Sequence, residues 1–306
     1  MSLIEQAAKR LEQLRQAGVE IPAEIEAKEI VQVPEKVAAP KAPKPPVVGE
    51  DRSKRVDIDL EMLAAAGFVT PLSPRSQISN EFRVIKRPLI ANAMGRGAVR
   101  VAKGNLIMVT SAVPNEGKTF NAINLAMSIA MEMDTTVMLV DADVAHPSIP
   151  GVLKLSQGPG LLDVLTNDSL DLADVLLKTN VDNLTLLPAG TAHVRATELL
   201  ASEALMALLD EMAKRYDDRI IIFDSPPLLV TTEARVLATH MGQIVVVTRA
   251  EQTLHSQIKQ ALATIESCPV KMMVLNQSTP DPMGSYGYGY GYGYGYGYGQ
   301  KAEEED

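Results

Sequence analysis

The segment from Ala112 to Thr119 has residue types that bind phosphate groups. It reads AVPNEGKT, which fits the phosphate-binding loop A-x-x-x-x-G-K-T, with alanine in place of the usual first glycine. In such a loop, successive backbone N–H groups and the positive end of the following helix surround phosphate oxygens. Gly117 permits close backbone approach, Lys118 reaches the β and γ oxygens, and the Thr119 hydroxyl ligates Mg²⁺. The residues expected to contact the nucleotide are Pro114, Asn115, Glu116, Gly117, Lys118, Thr119 and Phe120.

An acidic pair follows a second apolar segment. Residues 137–147 read VMLVDADVAHP, so Asp141 and Asp143 stand at positions i and i+2 and point to the same side of an extended chain. Paired carboxylates beside a phosphate-binding loop hold Mg²⁺ through water or accept a proton. The alternative interpretation is a polar turn at the strand end, in which Asp143 caps a helix.

A third carboxylate ends another apolar segment. Residues 220–227 read IIIFDSPP, which positions Asp224 as the aspartate that orders the water shell of a nucleotide-bound metal. Asp224 and Thr119 suffice to manage the metal. Either Asp141 or Asp143 is therefore free to act on a hydroxyl group.

Apolar segments alternate with helical patterns from about residue 57 to residue 278. Continuous apolar strands separated by helices indicate an α/β fold, here a P-loop NTPase-like parallel sheet with helices on both faces. The predicted strands are Leu106–Thr110, Thr136–Val140, Leu184–Leu187, Ile220–Phe223, Ile244–Thr248 and Met272–Leu275. The predicted helices include Thr119–Met131, Ala196–Arg215 and Leu254–Ile265.

The two ends of the chain differ from this alternating region. Residues 1–18 have the spacing of a short amphipathic helix, and residues 19–56, which include six prolines, read as an extended linker. The helix docks onto a partner or a second copy, or it frays in solvent; a membrane-surface anchor is disfavoured because the helix has no Phe or Trp. Residues 279–306 form a disordered tail, since glycine at every second position weakens strand pairing.

Composition excludes several classes of protein. The chain has 306 residues, a net charge of −9 and one cysteine, Cys268. No apolar run approaches the ~18 residues that span a bilayer, and the N-terminus lacks a signal-peptide core. We therefore expect a cytoplasmic protein that does not bind nucleic acid, because a general nucleic-acid binder has a basic balance of charge.

These motifs resemble a known family. The loop SAVPNEGKT, the Asp141/Asp143 pair, DSPP at 224–227 and a C-terminal tyrosine cluster are similar to the bacterial tyrosine kinases of capsule and exopolysaccharide assembly. The N-terminal helix, the linker and the short tyrosine tail resemble the exosortase-associated tyrosine autokinases of this family, and the family resemblance spans about residues 57–298. It implies ATP and Mg²⁺ as cofactors and autophosphorylation that regulates exopolysaccharide synthesis or export.

The resemblance also implies roles for single residues. Lys118 stabilises charge on the transferring phosphoryl group, while Thr119, Asp143 and Asp224 organise the metal. Asp141 is the preferred base for the incoming tyrosine, although Asp141 and Asp143 could exchange roles. Asn276, at the end of the last predicted strand, matches a position that reads adenine in related folds; the alternative is a plain strand-end turn.

The tail supplies the expected phosphate acceptors. Residues 285–298 extend at most ~45 Å at ~3.3 Å per residue. Reaching the site of a neighbouring copy requires only extension, so we predict transfer in trans. A low-complexity adhesive segment unrelated to ATP is the alternative. The acceptors are Tyr286, Tyr288, Tyr290, Tyr292, Tyr294, Tyr296 and Tyr298.

Oligomers and partners are likewise implied by the resemblance. Glu81, Arg83 and Lys86 are similar to a Glu/Arg-rich helix that packs relatives into a ring, with lysine in place of the last arginine. Ala145 replaces another arginine of the family, two residues after Asp143. The expected partners are a separate inner-membrane co-polymerase, which recruits and activates the kinase, and an opposing tyrosine phosphatase.

Two other functions stay open on the sequence. Partitioning and septum-placement ATPases share the fold, but they carry a signature lysine where this chain has Val113, and they lack a tyrosine tail. A switch ATPase of that type would assemble on nucleotide without forming phosphotyrosine. A scaffold that binds ATP without chemistry is the second alternative.

Overall fold

The computed structural model describes residues 53–97, 100–167, 169–215 and 219–279. The predicted N-terminal helix, most of the predicted linker and the tyrosine cluster lie outside these residues. Strands of the described residues are β1 (Lys54–Val56), β2 (Leu106–Ser111), β3 (Thr136–Asp141), β4 (Leu177–Thr179), β5 (Leu184–Leu187), β6 (Arg219–Asp224), β7 (Gln243–Arg249) and β8 (Val270–Asn276).

The strands form one sheet in the order β1-β4-β5-β3-β6-β2-β7-β8. Neighbours from β5 to β8 are parallel, which confirms the predicted parallel sheet for these six strands. The pair β4–β5 is antiparallel, because only residues 180–183 connect the two strands and a parallel pair needs a long crossover. Residues 54–56, which we assigned to the linker, instead form β1 and pair with β4.

The helices of the described residues cover both faces of the sheet. No helix in this part of the chain has the length and apolar character to cross a bilayer. The predicted helix 196–215 is broken, because the Ser202 hydroxyl accepts a hydrogen bond from the Leu205 N–H and starts a second helix. The helices are α1 (Leu60–Ala65), α2 (Gln77–Ala93), α3 (Lys118–Ala130), α4 (Ile149–Val152), α5 (Leu161–Thr166), α6 (Leu172–Val175), α7 (Ala196–Leu200), α8 (Glu203–Arg215), α9 (Thr232–Ala238) and α10 (His255–Ala263).

Alternation along the central strands divides the core into two layers. On β2, Leu106 and Met108 pack with residues of α8, α9 and α10, while Ile107 and Val109 pack with residues of α2 and α3 on the opposite face. Side chains that alternate between two covered faces give the continuous apolar segments seen in the sequence. The polar residues that end β2, β3 and β6 therefore meet at one edge of the sheet, which is where ligands bind in open α/β folds.

Helix α2 carries the three residues predicted to join neighbouring copies, and they differ in exposure. Glu81 is exposed, and Arg83 is partly exposed and donates a hydrogen bond to the Pro74 carbonyl at 2.7 Å. Lys86 is only 4% exposed. Its burial contradicts the predicted interface role, because the ammonium group points into the fold.

The Lys86 side chain on α2 binds residues at the C-terminal end of α3. Its Nζ donates to the Ser128 carbonyl at 2.5 Å and pairs with the Glu132 carboxylate at 2.6 Å. The Glu132 N–H bonds to the Ile129 carbonyl, so the Ser128 carbonyl belongs to the open end of the helix. A cation at this position also suits the negative end of the helix dipole.

Replacing Lys86 with methionine should lower the free energy of unfolding by about 1–2 kcal/mol, because a buried helix-end carbonyl loses its donor. Arg87→Met is the matched control on the exposed side of α2, and it should change the free energy by less than about 0.5 kcal/mol. Urea denaturation measures both. Equal stability of the two variants would contradict the internal role of Lys86.

Candidate active site

The phosphate-binding loop links β2 to α3 and has the backbone conformation that its sequence predicts. Asn115 and Gly117 both have positive φ angles, +65° and +92°, which asparagine and glycine tolerate best. A Cβ at Gly117 would collide with the side-chain amide of Asn276. Gly117 is the N-cap of α3 and supplies no side-chain cap, so the first N–H groups of that helix are available to an anion.

Glu116 supports this loop from inside the protein. Its side chain is buried and accepts hydrogen bonds from the Val113 N–H at 2.8 Å and from the Thr253 hydroxyl. The Arg249 N–H also approaches the same carboxylate, at 3.4 Å. Only the backbone of Glu116 remains for the predicted nucleotide contact, because the carboxylate joins the loop to the segment after β7.

Asn276 and Phe120 lie on either side of the loop. The Asn276 amide donates to the Glu116 carbonyl at 2.9 Å, which puts the last residue of β8 directly against the phosphate-binding loop. The Phe120 ring packs on Phe68, with 4.8 Å between the ring centroids. Pro114 is exposed at the tip of the loop. The structure thus brings Asn276 next to the predicted phosphate site and turns Phe120 toward a protein neighbour.

The three predicted aspartates and Lys118 are brought together. Asp141 on β3 is the register partner of Asp224 on β6, so the two buried carboxylates stand side by side. Asp143 is also buried, and its Oδ2 lies 2.9 Å from the Lys118 Nζ. The Asp143 Oδ1 accepts from the His146 N–H at 3.2 Å in a turn after β3, but the N-cap of the next helix is Ser148 and not Asp143.

Asp141 is held by two backbone donors. Its Oδ2 accepts from the Ser148 and Ile149 N–H groups, each at 3.0 Å, while Oδ1 is buried with no hydrogen-bond partner among the described residues. Burial raises the pKa of Asp141 to about 6, although the two backbone hydrogen bonds oppose the rise. Asp141 is thus a fixed carboxylate that is more basic than an ordinary aspartate.

Asp224 is the most deeply buried carboxylate of the site. Neither of its oxygens has a hydrogen-bond partner within the part of the chain that the structure describes. Burial raises the pKa of Asp224 to about 7, and the nearby Lys118 and Thr119 only partly oppose this. Unpartnered buried oxygens are costly, so their presence indicates a site that a cation completes.

These residues fit Mg²⁺. Asp224, Asp143 and the Thr119 hydroxyl offer the hard oxygen ligands that Mg²⁺ prefers. The described residues contain no group of three or more His, Cys, Asp or Glu side chains that could hold a metal by themselves. Mg²⁺ usually binds through one or two carboxylates together with water and substrate phosphates, which agrees with this partial set of ligands.

Ser148 is a site residue that the sequence analysis missed. Its Oγ lies 3.0 Å from the Thr119 Oγ1, and it follows β3 by only seven residues. The sequence SIP, in which Ser148 immediately precedes the first residue of α4, could have indicated a helix N-cap, but not a contact with the phosphate-binding loop.

The free energy of unfolding of the nucleotide-free protein should fall as the pH rises from about 4 to 7 and should then level off. In this range the folded protein keeps protons on Asp141 and Asp224 after unfolded aspartates, with a pKa of 3.8, have lost theirs, so this stabilisation disappears as the pH passes the folded-state pKa values of about 6 and 7. Urea titrations in EDTA over this range measure the fall. The Asp224→Asn variant, which cannot titrate, should show a shallower fall, and an unchanged slope would refute the assignment.

Comparisons with known proteins show similarity to tyrosine-protein kinases. Residues 106–277, more than half of the chain, match a family model described as an AAA domain. The putative tyrosine-protein kinase CapB of Staphylococcus aureus is 30% identical over 215 residues, which cover 70% of this chain and 90% of CapB. The tyrosine-protein kinase Ptk of Acinetobacter johnsonii is 32% identical over 175 residues, 57% of this chain but only 23% of Ptk, so the chain spans about a quarter of that relative.

Two solved kinase domains have similar folds. The kinase domain of the Escherichia coli tyrosine kinase ETK superposes with a TM-score of 0.53 at 26% identity, over 61% of this chain and 73% of that domain. The VpsO kinase domain gives a TM-score of 0.54 at 25% identity, over 67% of this chain and 100% of that domain. On these matches and on the loop and aspartates described above, the chain belongs to the bacterial tyrosine kinase family.

Proposed function

We propose that this chain is an ATP- and Mg²⁺-dependent protein-tyrosine autokinase that phosphorylates its own C-terminal tyrosine cluster. The observation that carries the proposal is the cluster of Lys118 with three buried aspartates at a phosphate-binding loop, in a chain with seven closely spaced tyrosines. The names of the relatives, tyrosine-protein kinases, support the same reaction class.

Lys118 and Asp143 change partners in this proposal. In the structure the Lys118 ammonium pairs with Asp143 at 2.9 Å. Nucleotide phosphates compete for Lys118, which then stabilises the charge on the transferring group. Asp143, once free of Lys118, would hold Mg²⁺ together with Thr119 and Asp224. The ion, when bound, would neutralise negative charge on the nucleotide phosphates.

Asp141 is the proposed base for the tyrosine hydroxyl. Its Oδ1 has no partner among the described residues, and its Oδ2 is fixed by two backbone donors, so the carboxylate can take a proton without losing its position. In the nucleotide-free protein, burial raises the pKa of Asp141 to about 6, so the carboxylate is mostly ionised at neutral pH and can accept a proton. Asp143 is the alternative base, since it lies on the same side of the chain.

We propose transfer in trans, between copies in a ring. Glu81 and Arg83 on the exposed part of α2 are the remaining candidates for the interface, since Lys86 is buried. Each phosphate adds a charge of about −1.5 to −2. Several of them near the acidic residues 303–306 would repel neighbouring tails and loosen the ring.

The cellular role follows from the family. We propose that the kinase regulates exopolysaccharide synthesis or export, is activated by a separate inner-membrane co-polymerase, and is opposed by a tyrosine phosphatase. We place it in the cytoplasm, recruited to the membrane through that partner. Support comes from the similarity to CapB, of which 90% is covered, rather than from the longer Ptk.

Lys118→Met should abolish autophosphorylation, because the transferring phosphoryl group loses its main cation. Intact-mass spectra of the full chain before and after Mg-ATP should show a ladder of phosphates on wild type and none on the variant. Lys259→Met, at an exposed position of α10, is the matched control and should keep the ladder. If wild type hydrolyses ATP without any phosphate on Tyr286–Tyr298, even with a candidate activator segment, the protein is a switch ATPase.

If transfer occurs in trans, a chain that lacks Lys118 should be phosphorylated by a chain that lacks the tail tyrosines, although neither variant can phosphorylate its own tail. One variant carries Lys118→Met with an intact tail, and the other carries an intact site with the seven tail tyrosines changed to phenylalanine. Mixed with Mg-ATP, only the Lys118→Met chain should gain phosphates, which its distinct mass identifies. A mixture that stays unmodified while wild type is phosphorylated would show transfer within one chain.

A further inference from the structure

The Ser148 side chain contacts Thr119, a predicted Mg²⁺ ligand, and does not make the helix-capping hydrogen bond that its position favours. It is the N-cap residue of α4, where a serine hydroxyl commonly accepts from a backbone N–H, yet no such bond is present. The Asp141 carboxylate instead takes the Ser148 and Ile149 N–H groups. The Ser148 hydroxyl is therefore released from local capping and lies 3.0 Å from the Thr119 Oγ1.

The chemistry of a hydroxyl ligand explains why this contact matters. A threonine hydroxyl has one proton and two acceptor lone pairs. When a lone pair of Thr119 faces a cation, its proton must point elsewhere and needs an acceptor. Thr119 and Ser148 are both partly buried, so a Thr119 proton with no acceptor in the fold would lose a hydrogen bond that only solvent could replace. The Ser148 Oγ is an acceptor within hydrogen-bond distance of that proton.

We propose that Ser148 is a positioning residue for Mg²⁺: its hydroxyl accepts the Thr119 proton and thereby turns a lone pair of Thr119 toward Asp224. The inference rests on the Mg-ATP site proposed above and adds a residue that the phosphate-loop pattern does not contain. Ser148 acts through Thr119 and does not itself touch the nucleotide.

Two different groups of Ser148 make its two contacts, so the role of the hydroxyl can be tested without disturbing the backbone. The backbone N–H of Ser148 holds Asp141, whereas its hydroxyl serves Thr119. Ser148→Ala removes only the hydroxyl, so the bond to Asp141 and the start of α4 are kept. Ser148→Thr restores a hydroxyl at the same position. Ser156→Ala, at an exposed serine in the segment after α4, is the matched control.

The test is calorimetric binding of a non-hydrolysable ATP analogue to the full chain, with Mg²⁺ and separately with EDTA. Ser148→Ala should weaken binding in Mg²⁺ about fivefold, the effect of one hydrogen bond, and should not change binding in EDTA. Ser148→Thr should recover most of the loss, and Ser156→Ala should match wild type. Thermal unfolding confirms that every variant is folded.

Three outcomes would overturn the inference. They are an equal loss for Ser148→Ala in Mg²⁺ and in EDTA, no loss in either, and a failure of Ser148→Thr to restore binding. Wild-type binding that is the same in Mg²⁺ and EDTA would overturn the proposed Mg-ATP site and this inference together. Mg²⁺-dependent binding without tyrosine phosphorylation would refute only the proposed kinase function.

Discussion

The constraint on which the site depends is the burial of three carboxylates beside one lysine at the edge of a parallel sheet. Asp141 and Asp224 are opposed in register on neighbouring strands, so the fold itself keeps them together despite their repulsion. Burial raises their pKa values, and three of their four carboxylate oxygens have no hydrogen-bond partner among the described residues. Such oxygens are costly to bury, and the positive charge of a cation such as Mg²⁺ would offset that cost.

The elements around this edge hold the phosphate-binding loop and its helix at both ends. At the loop, the Glu116 carboxylate binds the Thr253 hydroxyl, and the Asn276 amide binds the Glu116 carbonyl. At the far end of α3, Lys86 binds the Ser128 carbonyl. The first N–H groups of α3 therefore belong to a helix fixed by these contacts, and preorganised donors of this kind suit the phosphate binding proposed above.

The match to the bacterial tyrosine kinases and the geometry of the site support each other. The family model covers residues 106–277, which include β2, β3, β6 and the loops at their carboxyl ends. The residues upstream of it form β1, α1 and α2, and α2 packs on the helix of the phosphate-binding loop. Helix α2, which lies outside the residues that the family model matches, thus packs on α3, the helix that follows the phosphate-binding loop.

The sequence by itself determined the six parallel strands of the sheet, the phosphate-binding loop and the three aspartates, because strand periodicity and motif spacing are local properties. Tertiary structure alone decided the inward Lys86, the Glu116–Thr253 bond and the Ser148–Thr119 contact, whose partners are 42, 137 and 29 residues apart. A local pattern gives residue types, but not which distant backbone or hydroxyl will face them. Which distant partners meet follows from how the helices pack on the sheet. This packing gave Lys86 and the Glu116 carboxylate internal contacts with the fold.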